Sequence, residues 1–249
     1  MPYASNQGVR IHYEVEGAGA PLVLHHGTSG SWEDWKDLGY VDGLKHHHQL
    51  ILLDARGHGA SDKPHEPDAY DLRARVADVT GVLDDLRIRQ AHYFGYSLGG
   101  WIGFGIAKYA PERFHSLILG GAHPYAENMQ AFRDLMPPDP ADFLALTERM
   151  YGRYMTPALR VRLLASDLKA LAALTQDRTS LADILPTIVM PCLLFAGETD
   201  PRLPQVQESL KHIANATFFS LPASDHVAAL TRSELVLPQV SSFLSRISK

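Results

Sequence analysis

Residues 95–100, Gly-Tyr-Ser-Leu-Gly-Gly, constrain this chain more than any other feature of its sequence. They follow the apolar run 91–94 and open an apolar stretch of helical character over 101–109, so a buried strand must turn sharply into a helix around one serine. A turn that lifts Ser97 out of a sheet crowds its own backbone, and glycine is needed on either side, where a Cβ would collide. The pattern is Gly-x-Ser-x-Gly in its strand-turn-helix setting. It also places Ser97 at a helix N-terminus, where free N–H groups and the positive dipole end favour developing negative charge. Ser97 is therefore the candidate nucleophile.

The surrounding pattern sets the fold class. Residues 9–15 alternate as a half-exposed strand, and the glycines at 17 and 19 predict a turn that pairs it as a hairpin with the apolar strand 22–24. Further short apolar runs at 50–54, 91–96, 116–119 and 192–196 suit strands buried on both faces. Between two of them, Leu72, Val76, Val79, Leu83 and Leu86 recur at helical spacing with Arg73, Arg75, Asp78, Asp84 and Asp85 between them, which predicts an amphipathic helix. Strands alternating with helices of this length predict an α/β protein with a mainly parallel sheet.

Residues 123–186 break the alternation. No strand-like run occurs there, while Met129, Phe132, Met136, Phe143, Leu144, Met150, Tyr151, Tyr154 and Met155 recur at helical spacing, punctuated by prolines. The expectation is one α/β domain over 1–249 with a helical cap inserted at 123–186, covering the strand ends; a longer helical connection is the alternative. The cap's Met, Tyr and Leu residues suit an apolar pocket for a small or medium group, or equally a core. Trp32 and Trp35 could line its entrance or pack a helix.

Composition narrows the partners. With 23 Lys and Arg against 28 Asp and Glu in 249 residues, the chain carries no basic surplus for nucleic acid or an anionic membrane surface. No stretch approaches the roughly 18 apolar residues of a membrane span, and the first residues lack the charged and apolar regions of a secretion signal, so a cytoplasmic address is expected. The lone cysteine, Cys192, falls in an apolar run and reads as a core thiol. The three histidines 46–48 would point about 100° apart on a helix and could not share one ion. No metal or organic cofactor is expected, because neither a glycine-rich nucleotide fingerprint nor a His/Cys ligand cluster occurs.

A serine hydroxyl needs a base, and the base needs a carboxylate to orient it. Of 13 histidines, His226 is favoured, because the loop 221–226 follows a strand-like run and precedes the last helical stretch. His92 and His115 adjoin strand interiors, and His12 alternates outward. Asp200, just after the run 192–196, is the candidate carboxylate, with Glu198 the alternative; Asp225 is next to His226, where side chains diverge. An oxyanion formed at Ser97 requires two backbone donors. Leu98 N–H comes with the turn, and Thr28 N–H, in the His-His-Gly-Thr-Ser-Gly turn at 25–30, is the second candidate. His25 and His26 are expected to brace that turn.

Together with His26-Gly27 and the Asp-x-Arg-Gly-x-Gly-x-Ser turn at 54–61, these residues resemble the α/β-hydrolase family over nearly the whole chain. The resemblance implies an eight-stranded sheet with one antiparallel strand, a Ser97–Asp200–His226 triad and a helical cap. It also implies that Asp54, Arg56 and His58 hold a turn. Many members carry proline two residues after His-Gly; here Ser29 stands in that place. Members with an aspartate nucleophile, of the haloalkane dehalogenase and epoxide hydrolase types, have a different residue where Ser97 stands. The expected activity is hydrolysis of a small-molecule carboxylic ester through an acyl-enzyme. Lactones, thioesters and carbon–carbon bonds next to a carbonyl are the alternatives within this chemistry, and a ligand-binding receptor is the alternative outside it.

Overall fold

Each apolar run bounded by glycine or polar turns becomes a strand in the computed structural model, which describes residues 2–247. The strands are β1 (Tyr3–Asn6), β2 (Val9–Glu16), β3 (Ala20–His25), β4 (His48–Leu53), β5 (Ala91–Tyr96), β6 (Phe114–Gly120), β7 (Cys192–Gly197) and β8 (Ala216–Leu221). They form one eight-stranded sheet in the order β1-β2-β4-β3-β5-β6-β7-β8. β2 runs antiparallel to both neighbours, and all pairs from β4 to β8 are parallel. Because side chains alternate across a strand, Val23, Ile51 and Leu53 enter one core while Leu22, Leu24, Leu50 and Leu52 enter another on the opposite face.

Helices cover both faces. They are α1 (Trp32–Asp37), α2 (Tyr40–Leu44), α3 (Leu72–Asp85), α4 (Leu98–Tyr109), α5 (Gln130–Leu135), α6 (Pro140–Tyr151), α7 (Pro157–Leu164), α8 (Leu168–Leu174), α9 (Leu203–Leu210), α10 (His226–Thr231) and α11 (Ser233–Ile247). The first core holds residues of α3, α4 and α9; the second holds those of α1, α2 and α11.

Two expectations are corrected here. β2 and β3 do not form a hairpin, because β4 lies between them, pairing Tyr13 with Leu53 on one side and Leu22 with Leu50 on the other. The connection instead passes over the start of β4. Gly17 (φ +79°) and Gly19 (φ +123°) approach it so closely that a Cβ would sit 2.4 Å from Lys45 O and 2.3 Å from His47 O, respectively. The hairpin is formed by β1 and β2. The second correction concerns α3: its apolar stripe is buried as read, but so are Arg75 and Asp78. β1 and α4 flank this helix in addition to the sheet, leaving no broad polar face at those positions.

The segment between β6 and β7 contains α5 to α8, with its two ends tied by an antiparallel bridge between Glu127 and Arg178. Its α6 packs against α10, which follows β8, and Arg162 of α7 reaches Asp34 (2.9 Å) and Asp37 (2.7 Å) of α1, which follows β3.

Candidate active site

Ser97 lies between β5 and α4 with φ +54° and ψ −106°, a left-handed backbone that a non-glycine residue adopts only at a cost. Its N–H donates to Gly120 O (2.8 Å), and its carbonyl accepts from Trp101 N (2.9 Å), so strand and helix both hold it in place. The flanking glycines are required by contact. A Cβ on Gly95 would lie 2.3 Å from Gly99 O, and one on Gly99 would lie 2.2 Å from His25 O.

Asp200 follows β7, where its N–H bonds to Gly197 O and its Oδ1 accepts from Arg202 N (2.9 Å). His226 opens α10. Its Nδ1 is 2.6 Å from Asp200 Oδ2, and its Nε2 is 3.0 Å from Ser97 Oγ. With the Nδ1 proton donated to the carboxylate, Nε2 is left to accept the serine proton. The Asp200 carboxyl is buried, whereas the His226 side chain keeps 25% of its surface exposed. Burial alone would raise the Asp200 pKa, but the His226 hydrogen bond and charge, with Arg202, hold it below the ordinary carboxylate range. Tyr96 Oη donates to His226 O (2.5 Å) and fixes the start of α10. Of the alternatives, exposed Glu198 accepts from Ser220 Oγ and Ala223 N, both at 3.4 Å, and Asp225 caps α10 at Ala228 N (2.8 Å).

The turn after β3 presses against the serine: a Cβ on Gly27 would sit 3.2 Å from Ser97 Cβ. Among the described residues, neither Leu98 N–H nor Thr28 N–H has a hydrogen-bond partner, so both are available to a ligand oxygen. Histidines brace this turn. His26 Nε2 accepts from Ala55 N (3.1 Å), and its Nδ1 donates to Gly27 O (2.7 Å). His25 Nδ1 meets Tyr93 Oη (2.8 Å), which donates to Gly99 O. A third brace is His58, expected to hold its own turn but found to hold this one as well: its Nε2 accepts from Ser29 N (3.1 Å), while its Nδ1 donates to Arg56 O (3.2 Å). Burial, then the nearby His26, lowers the His58 pKa to about 3, so it serves as a neutral acceptor.

The 54–61 turn is a polar hub. Asp54 accepts from Trp32 N and Ala60 N, each at 2.9 Å, and Arg56 pairs with buried Asp78 at 2.6 Å. His12 does not face outward as expected. It is 1% exposed, and its Nδ1 lies 2.9 Å from Asp54 Oδ2, because β1 and the 54–61 turn cover that side of β2. His92 is buried and bonded to Ser116 Oγ (2.8 Å). Trp35 packs in the core against Tyr40 and Phe94. Cys192 is buried, which pushes its thiol up to about 12.

A cavity of about 450 Å³ adjoins the turn, with Thr28 and Leu98 in its wall together with Tyr70, Arg75, Trp101 and Arg178. Of the apolar residues expected to line a pocket, Met129 does so; Tyr151, Tyr154 and Met155 do not. Among the described residues, no group of three His, Cys, Asp or Glu side chains is placed to hold a metal ion, and no helix is long and apolar enough to cross a membrane.

Comparison with known proteins yields the following likenesses. A family model described as "alpha/beta hydrolase fold" matches residues 20–154. "Putative carbamate hydrolase RutD" of Azorhizobium caulinodans is 37% identical over 119 residues, which are 48% of this chain and only 43% of that protein. "Putative 2-succinyl-6-hydroxy-2,4-cyclohexadiene-1-carboxylate synthase" of Bacillus subtilis is 27% identical over 271 residues, 97% of each chain. Among solved structures, a hydrolase from Pseudomonas aeruginosa PA01 superposes with a TM-score of 0.86 at 27% identity, over 98% of this chain and 97% of that one.

Proposed function

This chain belongs to the α/β-hydrolase family, and from that premise we propose that it is a serine hydrolase of small-molecule carboxylic esters, with Ser97, His226 and Asp200 as its catalytic residues. The observation that carries the reading is the unbroken hydrogen-bond chain from Asp200 through His226 to Ser97.

In this mechanism His226 Nε2 takes the Ser97 proton as Oγ attacks the ester carbonyl. The oxyanion is stabilised by the N–H groups of Leu98 and Thr28, each worth roughly 3–4 kcal/mol in the transition state. His226 then returns the proton to the leaving alcohol. Water repeats the sequence on the acyl-enzyme and releases the acid. Asp200 holds the tautomer and stabilises the imidazolium without taking its proton. The helices of 123–186 serve as a cap: Arg162 fastens them to α1, and the cavity beside Thr28 has a volume suited to a small or medium acyl group.

Steady-state hydrolysis of a chain-length series of p-nitrophenyl esters, with one γ-lactone and one thioester, tests the reading on wild type and Ser97→Ala in parallel. Ser97-dependent turnover peaking at short or medium chains is expected. A second reading, a reaction at the same three residues other than ester hydrolysis, is supported by the full-length likeness to a protein named as a synthase. Absence of turnover of every ester, lactone and thioester by folded wild type would move the assignment there.

A further inference from the structure

Arg75 projects from α3 into the wall of the cavity that Thr28 and Leu98 share, and only 4% of it is exposed. Its hydrogen bonds go to neutral groups: Nε to Tyr70 O and Nη2 to Leu174 O, both at 2.7 Å. Its Nη1 has no partner among the described residues.

Of the nearby carboxylates, Asp68, Asp71 and Asp177 line the same cavity without pairing with Arg75, and the others are engaged elsewhere. Asp78 is paired with Arg56, and Glu127 is shared by Arg178 (2.9 Å) and Arg202 (2.6 Å). Asp71 caps α3, Asp177 is held by Arg133 and Met129 N, and Asp68 is exposed; among the described residues none forms an ion pair with Arg75. Arg178 adds a second cation. Both guanidinium groups lie over Trp101, 5.7 Å (Arg75) and 4.9 Å (Arg178) from its ring centroid.

Asp78, already paired with Arg56, attracts Arg75 without bonding to it; a buried cation with no ion-pair partner of its own is costly, and an anionic ligand would supply one. A guanidinium also presents paired donors that match a carboxylate. Burial, then Arg178 and Arg56, lowers the Arg75 pKa to about 9, which leaves it charged at neutral pH.

We propose that Arg75 binds a carboxylate carried by the substrate, so that the compound cleaved at Ser97 is a half-ester of a short dicarboxylic acid or a lactone of its hydroxy derivative. This rests on the hydrolase reading above. Trp101 and Tyr70 would line the hydrocarbon between the carboxylate and the scissile carbonyl.

The test compares mono-p-nitrophenyl adipate with p-nitrophenyl hexanoate, which have the same acyl length and differ in one terminal carboxylate. Wild type should favour the adipate ester in kcat/KM by about tenfold or more, the range expected for a hydrogen bond to a charged group. Arg75→Met should bring that ratio to about one, with Arg75→Lys between. If Arg75→Met fails to fold, wild type alone decides. Free adipate should inhibit hexanoate hydrolysis competitively where adipamide does not.

A wild-type ratio near one without inhibition by adipate, or an unchanged ratio in folded Arg75→Met, overturns the proposal and makes Arg75 a tie between α3 and α8. Calorimetric titration of Ser97→Ala with adipate separates the two readings. Binding without turnover of either ester by wild type would sink ester hydrolysis and keep the anion site. Equal turnover of both esters without adipate binding would sink the anion site and keep hydrolysis.

Discussion

The backbone N–H of Ser29 donates to Nε2 of His58 across 3.1 Å, so the turn that follows β3 is held by the turn that follows β4. Ser29 has φ +67° and stands where many family members carry proline. Proline has no N–H to donate and fixes φ near −65°. Ser29→Pro should therefore lose more than about 1 kcal/mol of stability and displace the neighbouring Thr28 N–H. Ser29→Gly, which keeps the donor and tolerates the positive φ, should stay close to wild type. Urea denaturation and ester turnover measure both effects; a Ser29→Pro protein as stable and active as wild type would show that this bond does not shape the turn.

Stability should fall in mild acid, because several histidines, His25, His58 and His92 among them, are buried in their neutral form. Burial comes first among the causes that lower His58 to about 3, His92 to about 4 and His25 well below its ordinary 6.5. Below pH 6.5 the unfolded chain binds a proton at each site and the folded chain does not, so each group removes up to about 1.4 kcal/mol per pH unit. His12 acts in the opposite sense. The Asp54 hydrogen bond raises its pKa, so its contribution is complete below 6.5 and is lost as pH rises through the folded value. It therefore leaves the acid window unmasked. Unfolding free energy measured at pH 7, 6 and 5 should drop at each step, and His58→Gln should flatten the slope by about one proton. A constant value from pH 7 to 5 would contradict the burial argument.

Ser97→Ala and His226→Ala should each lower kcat by about 10⁴- to 10⁶-fold with little change in melting temperature, and the double variant should lose no more than either alone, since they act as a unit. Asp200→Asn should lose about 10⁴-fold by favouring the wrong tautomer. Glu198→Gln, on an exposed side chain bonded to Ser220 and Ala223 rather than to His226, should change kcat less than about twofold. If Glu198→Gln were the more damaging of the two carboxylate changes, the acid would be misassigned.

Much of this was legible because the motif carries its own geometry. Gly-x-Ser-x-Gly after an apolar strand specifies a strained turn at Ser97, and the loops after 196 and 220 supply Asp200 and His226 at neighbouring strand ends. What stayed hidden depends on the sheet's strand order. Nothing in residues 9–24 reveals that β4 enters between β2 and β3, so the hairpin was the natural expectation, and nothing there reveals that the 54–61 turn folds back over His12. That His58 holds a turn was expected, but its bond across to the turn after β3 was not, because its partner Ser29 is 29 residues away and donates through the backbone. Arg75 and Asp78 looked solvated because helical periodicity places them between apolar positions, and only packing by β1 and α4 on two sides buries them.

The buried pair of Arg56 and Asp78 makes the last prediction, because it links stability to the same turn. Both Asp78 oxygens lie 2.6 Å from Arg56 nitrogens, and Oδ1 also accepts from Asn6 Nδ2 (2.7 Å). Asp78→Ala would leave the Arg56 charge buried beside Arg75, itself unpaired, and should cost about 3–5 kcal/mol. The Arg56 carbonyl accepts from His58 Nδ1, whose other nitrogen holds Ser29, so movement of Arg56 should reach the oxyanion turn and lower kcat more than KM changes. Replacing both partners by apolar side chains, Arg56→Met with Asp78→Leu, removes the buried charges together and should recover most of the lost stability. Chemical denaturation of the single and double variants decides the point: if the double variant is as unstable as Asp78→Ala, the pair's hydrogen bonds to β1 and the 54–61 turn, rather than the stranded charge, hold this region together.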